Sequence, residues 1–185
     1  MSLKLSVFVA MSLDGFIARK DGEIDWLEAA NAAVPQGEDC GFKAFMGSID
    51  TLVMGRNTYE QVLSFGNWPY GNKHVIVLSS NKIEIPEELA ETVSWSAESP
   101  KQLYERLAYQ GAKRLYIDGG ITIQRFMAEN LISDMTITII PVALGAGKPL
   151  FGKVKKDMSL KHAATQTFDF GFVQLTYEVK TKSED

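Results

Sequence analysis

Three short stretches of the chain place glycines, hydroxyls and cationic side chains where they could hold phosphate. Met54-Gly55-Arg56-Asn57-Thr58 sets a glycine at the end of an apolar run, then a guanidinium, then a hydroxyl. Glycine lets the backbone turn and approach a ligand closely. Thr58 falls at the start of a helix, whose unpaired amides favour an anion. Leu78-Ser79-Ser80-Asn81-Lys82 supplies two hydroxyls and an ammonium, and Asp118-Gly119-Gly120-Ile121-Thr122 supplies a second glycine turn feeding a helix. Taken singly, each glycine is a plain turn and Arg56 a surface charge. Together the three could hold a dinucleotide, with Arg56 and the Ser79, Ser80 and Lys82 loop around an adenosine 2′-phosphate. Gly145-Ala146-Gly147-Lys148-Pro149 is a decoy. It lacks the first glycine and the following Ser or Thr of a phosphate-binding loop, and the third glycine of the dinucleotide fingerprint.

These stretches can cooperate only if the elements before them lie side by side. Apolar runs predict strands over residues 5–11, 51–54, 74–78, 114–118 and 135–140, with a weaker one over 92–95. Between them fall helices over 39–48, with Phe42, Phe45 and Met46 on one face, and near 58–63. Ser99-Pro100 caps a third helix through Leu103, Leu107 and Ala108, closed by Gly111, and a fourth runs through Phe126 and Met127. Pro69-Tyr70-Gly71-Asn72 is a turn, and two alternating segments, 158–168 and 173–178, predict a terminal antiparallel pair. Strands alternating with helices imply an α/β fold with a mostly parallel sheet covered on both faces. Ligands of such sheets bind at the carboxyl ends of the strands, where the three stretches lie.

Composition narrows the partners. The chain of 185 residues has the length of one domain, with 45% hydrophobic and 23% charged residues as in an ordinary globular protein. A net charge of -4 disfavours nucleic acid, and Lys153 to Lys156, the one basic cluster, reads as a solvated loop. No apolar run approaches the roughly 20 residues of a membrane span, and no signal-peptide pattern is present. Cys40 is the lone cysteine, and His74 and His162 are the only histidines, so neither a disulfide framework nor a metal site is expected. These features place the chain in a reducing cytoplasm, with no nucleic acid or membrane as partner.

Met54-Gly55-Arg56-Asn57-Thr58-Tyr59-Glu60, Val77-Leu78-Ser79-Ser80 and Ile117-Asp118-Gly119-Gly120 follow the order and spacing of the dihydrofolate reductase fold. Ala10-Met11-Ser12-Leu13-Asp14-Gly15-Phe16-Ile17-Ala18 adds to the likeness. The stretch from Leu131 through Pro141-Val142-Ala143-Leu144-Gly145 to Phe151 sharpens it. The chain most resembles the reductase domain that forms the C-terminal half of bacterial riboflavin-biosynthesis deaminase-reductases, the RibD C-terminal domain. The resemblance implies a single three-layer αβα domain over residues 1–180 with a polar tail at 181–185. It also implies an NADPH-dependent reductase acting on a small heterocycle, of the 5-amino-6-(5-phosphoribosylamino)uracil type. Reduction of dihydrofolate or another pterin, or a non-catalytic nucleotide sensor, are the alternatives. A homodimer accords with the same resemblance.

By motif position, the resemblance puts Ala10 and Ile17 beside the nicotinamide and Gly55, Arg56, Asn57 and Thr58 on the phosphates. Leu78, Ser79 and Ser80 would hold the adenosine half, and Gly119, Gly120, Ile121, Thr122 and Ile123 the pyrophosphate. Trp26 falls where dihydrofolate reductases keep an active-site tryptophan; packing under the flap after the first strand is its other reading. Their substrate-binding helix acid corresponds to Asp39 counting back from Met54, or to Glu38 aligning on Phe42-Lys43. Asp39 is the favoured catalytic and substrate-binding group, and first-turn acids stabilising a helix dipole are the plainer account of both. Asp118 stands where dihydrofolate reductases have glycine, which pulls the likeness toward the riboflavin branch. The zinc-deaminase signature is absent. For a ribosyl phosphate, Lys43, Lys73, Lys148 and Lys153 remain by elimination.

Overall fold

The computed structural model describes residues 2–152 and 157–180. In chain order the elements are β1 (Lys4–Ser12), β2 (Phe16–Ala18), α1 (Asp25–Asn31), α2 (Phe42–Ser48), β3 (Thr51–Gly55), α3 (Arg56–Ser64), β4 (His74–Leu78) and β5 (Val93–Ser96). There follow α4 (Pro100–Tyr109), β6 (Arg114–Asp118), α5 (Gly120–Ala128), β7 (Asp134–Ile140), β8 (Lys148–Pro149), β9 (Leu160–Thr167) and β10 (Val173–Val179). Eight strands form one sheet in the order β5-β4-β3-β6-β1-β7-β10-β9. Neighbours from β5 to β7 are all parallel, whereas β10 runs antiparallel to both β7 and β9. This is the expected mixed sheet with a C-terminal antiparallel hairpin.

Strand alternation sorts side chains onto two faces. Leu5, Val7, Val53, Ile76, Leu115 and Ile117 meet Leu103 and Leu107 of α4 and Ile123, Phe126 and Met127 of α5 on one face. Leu52, Met54, Val75, Val77 and Tyr116 meet Phe45 of α2 and Tyr59 of α3 on the other. Burying each large apolar side chain contributes about 1.5–3 kcal/mol, which is what holds the helices to the sheet. α4 starts as its sequence predicts: the Ser99 hydroxyl accepts the Gln102 N–H, the Gln102 side chain accepts the Ser99 N–H, and Pro100 occupies the first turn.

Three local features differ from the sequence expectation. The helix expected from residue 39 begins at Phe42, because Cys40 (φ 52°) and Gly41 (φ 83°) adopt left-handed backbone. α1 was not expected: its seven residues bury only Trp26, too little for a periodic signal, and packing against Ile140 and Phe172 anchors it. The β2–β8 pair is two or three residues long with an irregular register, below the length at which alternation can be read. The Lys153 to Lys156 cluster and residues 181–185 lie outside the described residues.

Candidate active site

β3 and β6 are parallel neighbours, with Met54 opposite Asp118, so the turns that follow them must meet. They meet closely. A Cβ on Gly55 would lie 2.7 Å from the Thr122 hydroxyl, and one on Gly119 would overlap the Thr58 hydroxyl. Gly119 also has φ +88°, a conformation only glycine adopts without strain. The two turns open α3 and α5, so two sets of unpaired first-turn amides face one place. The Ile123 N–H is already given to the Gly119 carbonyl at 2.8 Å and its side chain is buried in the core, which leaves the amides of residues 120–122 free of that bond. Ile17 closes the cluster from above: a Cβ on Gly120 would lie 2.8 Å from its Cδ1.

Arg56, Asn57, Ser80 and Lys82 are exposed around this place, Ser79 is half-buried and Leu78 is buried. Arg56 forms a 2.6 Å ion pair with Glu60 one turn along α3, both about half exposed. The Ser79 loop is fixed by the Trp95 indole, which donates to the Ser79 carbonyl at 3.0 Å. These donors and the glycine cradle suit the phosphates of a dinucleotide.

The loop carrying Ile17 is clasped to the segment before β8. The Asp14 carboxylate accepts the Ser12 hydroxyl (2.6 Å), the Leu144 N–H (3.0 Å) and the Gly145 N–H (2.7 Å). Leu13 donates to the Val142 carbonyl, Leu150 to the Gly15 carbonyl, and a Cβ on Gly147 would strike the Ala18 carbonyl. The Ser12 hydroxyl and the Leu144 and Gly145 amides hold the Asp14 carboxyl below its usual range.

On the α2 face of the sheet, Arg114, Tyr116 and Asp118 alternate along β6, beside Ser6, Phe8 and Ala10 on β1. The Tyr116 hydroxyl donates to the Phe8 carbonyl at 2.9 Å and lies beside Asp118. Asp118 accepts the Gly119 N–H at 2.8 Å. Although Asp118 keeps some contact with solvent, protein packs densely around its carboxyl. Desolvation pushes that carboxyl above its ordinary value, opposed by the Gly119 and Tyr116 hydrogen bonds. Burial raises the phenol of Tyr70, in the turn after α3, and the field of Asp118 raises it further. The edge of Trp68 packs on the Tyr70 ring, centroids 5.0 Å apart at 84°.

The two expected acids stand just before α2, next to Cys40, which packs with Ala10 and Trp26. Asp39 is exposed, and its two oxygens accept the N–H groups of Gly41 and Lys43 at 2.9 Å each, capping α2. Glu38, also exposed, accepts the Cys40 N–H at 2.6 Å. Both lie ahead of the first turn of α2, Asp39 reaching its Lys43 N–H and Glu38 only the Cys40 N–H, and the carboxyl that desolvation raises is Asp118. In the sequence, Asp118 follows Tyr116 by two positions, and strand alternation puts the two on one face of β6. Trp26 is 5% exposed and packed on Ile140 and Phe172, yet its indole N–H has no hydrogen-bond partner among the described residues. Of the lysines considered for a phosphate, Lys73 donates to the Ile49 carbonyl at 2.8 Å, Lys148 lies over Gly22, Lys43 is exposed and Lys153 is outside the described residues. No group of three or more His, Cys, Asp or Glu among the described residues is placed to hold a metal ion. No helix among them is long and apolar enough to cross a membrane.

A strand inserted between β3 and β1, and a last strand reversed against β7, mark the dihydrofolate-reductase-like class of α/β folds. This chain has that fold. It matches dihydrofolate reductase from Enterococcus faecalis, complexed with NADP(H) and RAB-propyl, with a TM-score of 0.63 at 18% identity, over 96% of this chain and 97% of that one. Within the class the family is narrower: the RibD C-terminal domain model matches residues 3–174, and the chain belongs to that family of reductase-like domains. A crystal structure of a candidate riboflavin biosynthesis protein from Shewanella sp. PV-4 matches with a TM-score of 0.89 and 41% identity, over 97% of this chain and all of that one. The uncharacterized protein YwjB of Bacillus subtilis (strain 168) is 34% identical over 180 residues, 96% of this chain and 98% of its own length.

Proposed function

We propose that this chain is an NADPH-dependent reductase of a small heterocycle, of the 5-amino-6-(5-phosphoribosylamino)uracil type. The observation that carries the reading is the pair of glycine turns packed against one another at the ends of β3 and β6, each opening a helix. On this reading the amides of residues 56–58 and 120–122 bind the phosphates, with Gly55 and Gly119 leaving room for them. Arg56 and the Ser79 and Ser80 loop take the 2′-phosphate and adenosine half, and Arg56 exchanges Glu60 for the phosphate. Ala10 and Ile17 bound the nicotinamide, which when bound would supply the hydride.

Asp118, rather than Asp39 or Glu38, is the proton-handling carboxyl of this proposal. Its desolvated position keeps it protonated further toward neutral pH than an exposed acid, which suits a donor to a ring nitrogen or carbonyl. Trp26 takes part through its unpaired indole N–H. Asp39 and Glu38 act by fixing the start of α2, whose Phe42 and Phe45 cover the aromatic side of the cleft. Cytoplasmic location and a homodimer accord with this reading.

The test is titration of NADPH against NADH, followed by incubation with the ribosylaminouracil phosphate or dihydrofolate and loss of nicotinamide absorbance. Arg56→Ala should weaken NADPH about ten-fold and leave NADH nearly unchanged, since only the former carries the 2′-phosphate. An unchanged preference removes Arg56 from the cofactor site. Oxidation of NADPH with dihydrofolate alone, reducing it to tetrahydrofolate, would select the pterin activity. NADPH binding without turnover of either substrate would overturn the proposed reaction.

A further inference from the structure

The turn that carries Glu38 and Asp39 is held from across the sheet. Cys40 has left-handed backbone (φ 52°), which a side chain disfavours, and Gly41 follows with φ 83°. On its amide side the turn closes on itself: Glu38 takes the Cys40 N–H, and Asp39 takes those of Gly41 and Lys43. The Cys40 carbonyl has no backbone partner among the described residues. It accepts instead from Nε2 of Gln174 on β10 at 2.9 Å, 134 positions along the chain. The same nitrogen donates to the hydroxyl of Thr138 on β7, also at 2.9 Å, and Thr138 is buried. Gln174, Thr138 and Ala10 are direct partners across β10, β7 and β1, so register puts the three in one row on one face of the sheet. Cys40 in turn packs in one cluster with Ala10 and Trp26, whose indole N–H is buried and unpaired. One amide nitrogen thus ties the Cys40 turn to the row that ends at Ala10. The Glu38 and Asp39 bonds lie within the turn and would follow it wherever it moved.

We propose that Gln174 is a positioning residue for the heterocycle: acting through the Cys40 carbonyl, it sets how closely the Cys40 turn stands to the Ala10 and Trp26 side of the cleft. The inference rests on the reductase reading, which puts the nicotinamide beside Ala10 and engages the Trp26 indole. Removing the donor leaves the left-handed Cys40 backbone without that anchor, and the turn relaxes. The substrate must then reorder it on binding, which weakens substrate and transition state alike. On the same reading the cofactor phosphates lie at the Gly55 and Gly119 turns, which this change does not reach.

The experiment uses the whole protein with Gln174→Leu and Gln174→Glu; the second keeps the size of the side chain and replaces the donor by an acceptor. Rates at saturating NADPH are measured with the ribosylaminouracil phosphate and with dihydrofolate, and amide exchange is followed at Gly41 and Lys43. Both variants should raise KM for the substrate that turns over about ten-fold, keep kcat within about two-fold, and leave the NADPH dissociation constant that of the wild type. Exchange at Gly41 and Lys43 should quicken about ten-fold while that of β7 stays unchanged. An unchanged KM, or unchanged exchange at the two amides, would overturn the proposal. So would a loss spread evenly over KM, kcat, NADPH binding and β7 exchange, which is what a merely structural residue gives. A wild type that oxidises NADPH with neither substrate sinks the reductase reading and this inference with it; a wild type that turns over, matched by both variants, sinks the inference alone.

Discussion

Asp118 and Asp39 are both aspartates near the start of a helix, and their surroundings give them opposite properties. Asp39 is solvated and has both oxygens on α2 amides. Asp118 sits on a buried strand with Tyr116 beneath it, where desolvation raises its pKa. A folded-state pKa above the unfolded value makes stability complete at low pH, below the ordinary 3.8, and lost as pH rises through the folded value. Asp118→Asn keeps an acceptor for the Gly119 N–H and removes the charge. It should therefore raise the melting temperature at pH 7 by a few degrees, with roughly 2–4 °C for each kcal/mol in a chain of this size. That gain should vanish near pH 4. The same variant should lower kcat about 100-fold or more, the usual contribution of a positioned acid. Melting curves and rates across pH check both; lower stability at pH 7 would mean that the carboxylate is held by favourable partners instead.

At the scale of elements, the clasp between the loop after β1 and the segment before β8 is built on one carboxylate. Asp14 receives three donors, and the Ile17 that it helps to position covers the Gly120 turn. Its pKa is depressed, so this contribution is present above the unfolded value of 3.8 and is lost as pH falls through the lower folded value. The clasp should accordingly hold across the neutral range. Asp14→Ala should speed amide exchange at Leu144 and Gly145 by about ten-fold or more and raise the NADPH dissociation constant several-fold, with little change in the exchange of β3 or β6. Unchanged protection of those two amides would show that the β2–β8 pair suffices without Asp14. The clasp was not legible in the sequence. Asp14 and Gly145 are 131 positions apart, and nothing in either segment's periodicity marks the pairing.

For the whole molecule, the parallel sheet has two ends with separate duties. Glycine turns and Asp118 lie at the carboxyl ends. At the amino ends, Arg114 donates to Ser6 (2.8 Å), Ser48 (2.9 Å) and Asp134 (3.1 Å) and stacks over Phe45, joining β1, β6, β7 and α2. Arg114 and Asp118 are four strand steps apart on β6, about 13 Å. Arg114→Ala leaves the fully buried Ser6 hydroxyl and Asp134 short of a partner, and should destabilise the protein by about 2–3 kcal/mol. Urea unfolding should register that loss while the NADPH dissociation constant of the folded variant stays near wild type. A matching loss of cofactor affinity would show that the two ends are coupled.

The strands, the α4 cap, the α/β class and the family were readable from the chain itself. They depend on short-range quantities: runs of apolar residues in β3, β4 and β6, Ser99-Pro100-Lys101-Gln102 at a helix start, and glycines directly after strands. The glycine turns were found for the same reason, since Gly55 and Gly119 are required by backbone conformation and close approach. Which carboxyl is desolvated, which indole N–H is left unpaired and which loop covers the turns were decided by tertiary structure. Those properties follow from desolvation and from hydrogen bonds between segments as distant as Phe8 and Tyr116 or Asp14 and Leu144. Burial and pairing of that kind are set by the assembled sheet. A local stretch such as Glu38-Asp39-Cys40-Gly41 carries the acid but not the environment that would tune it.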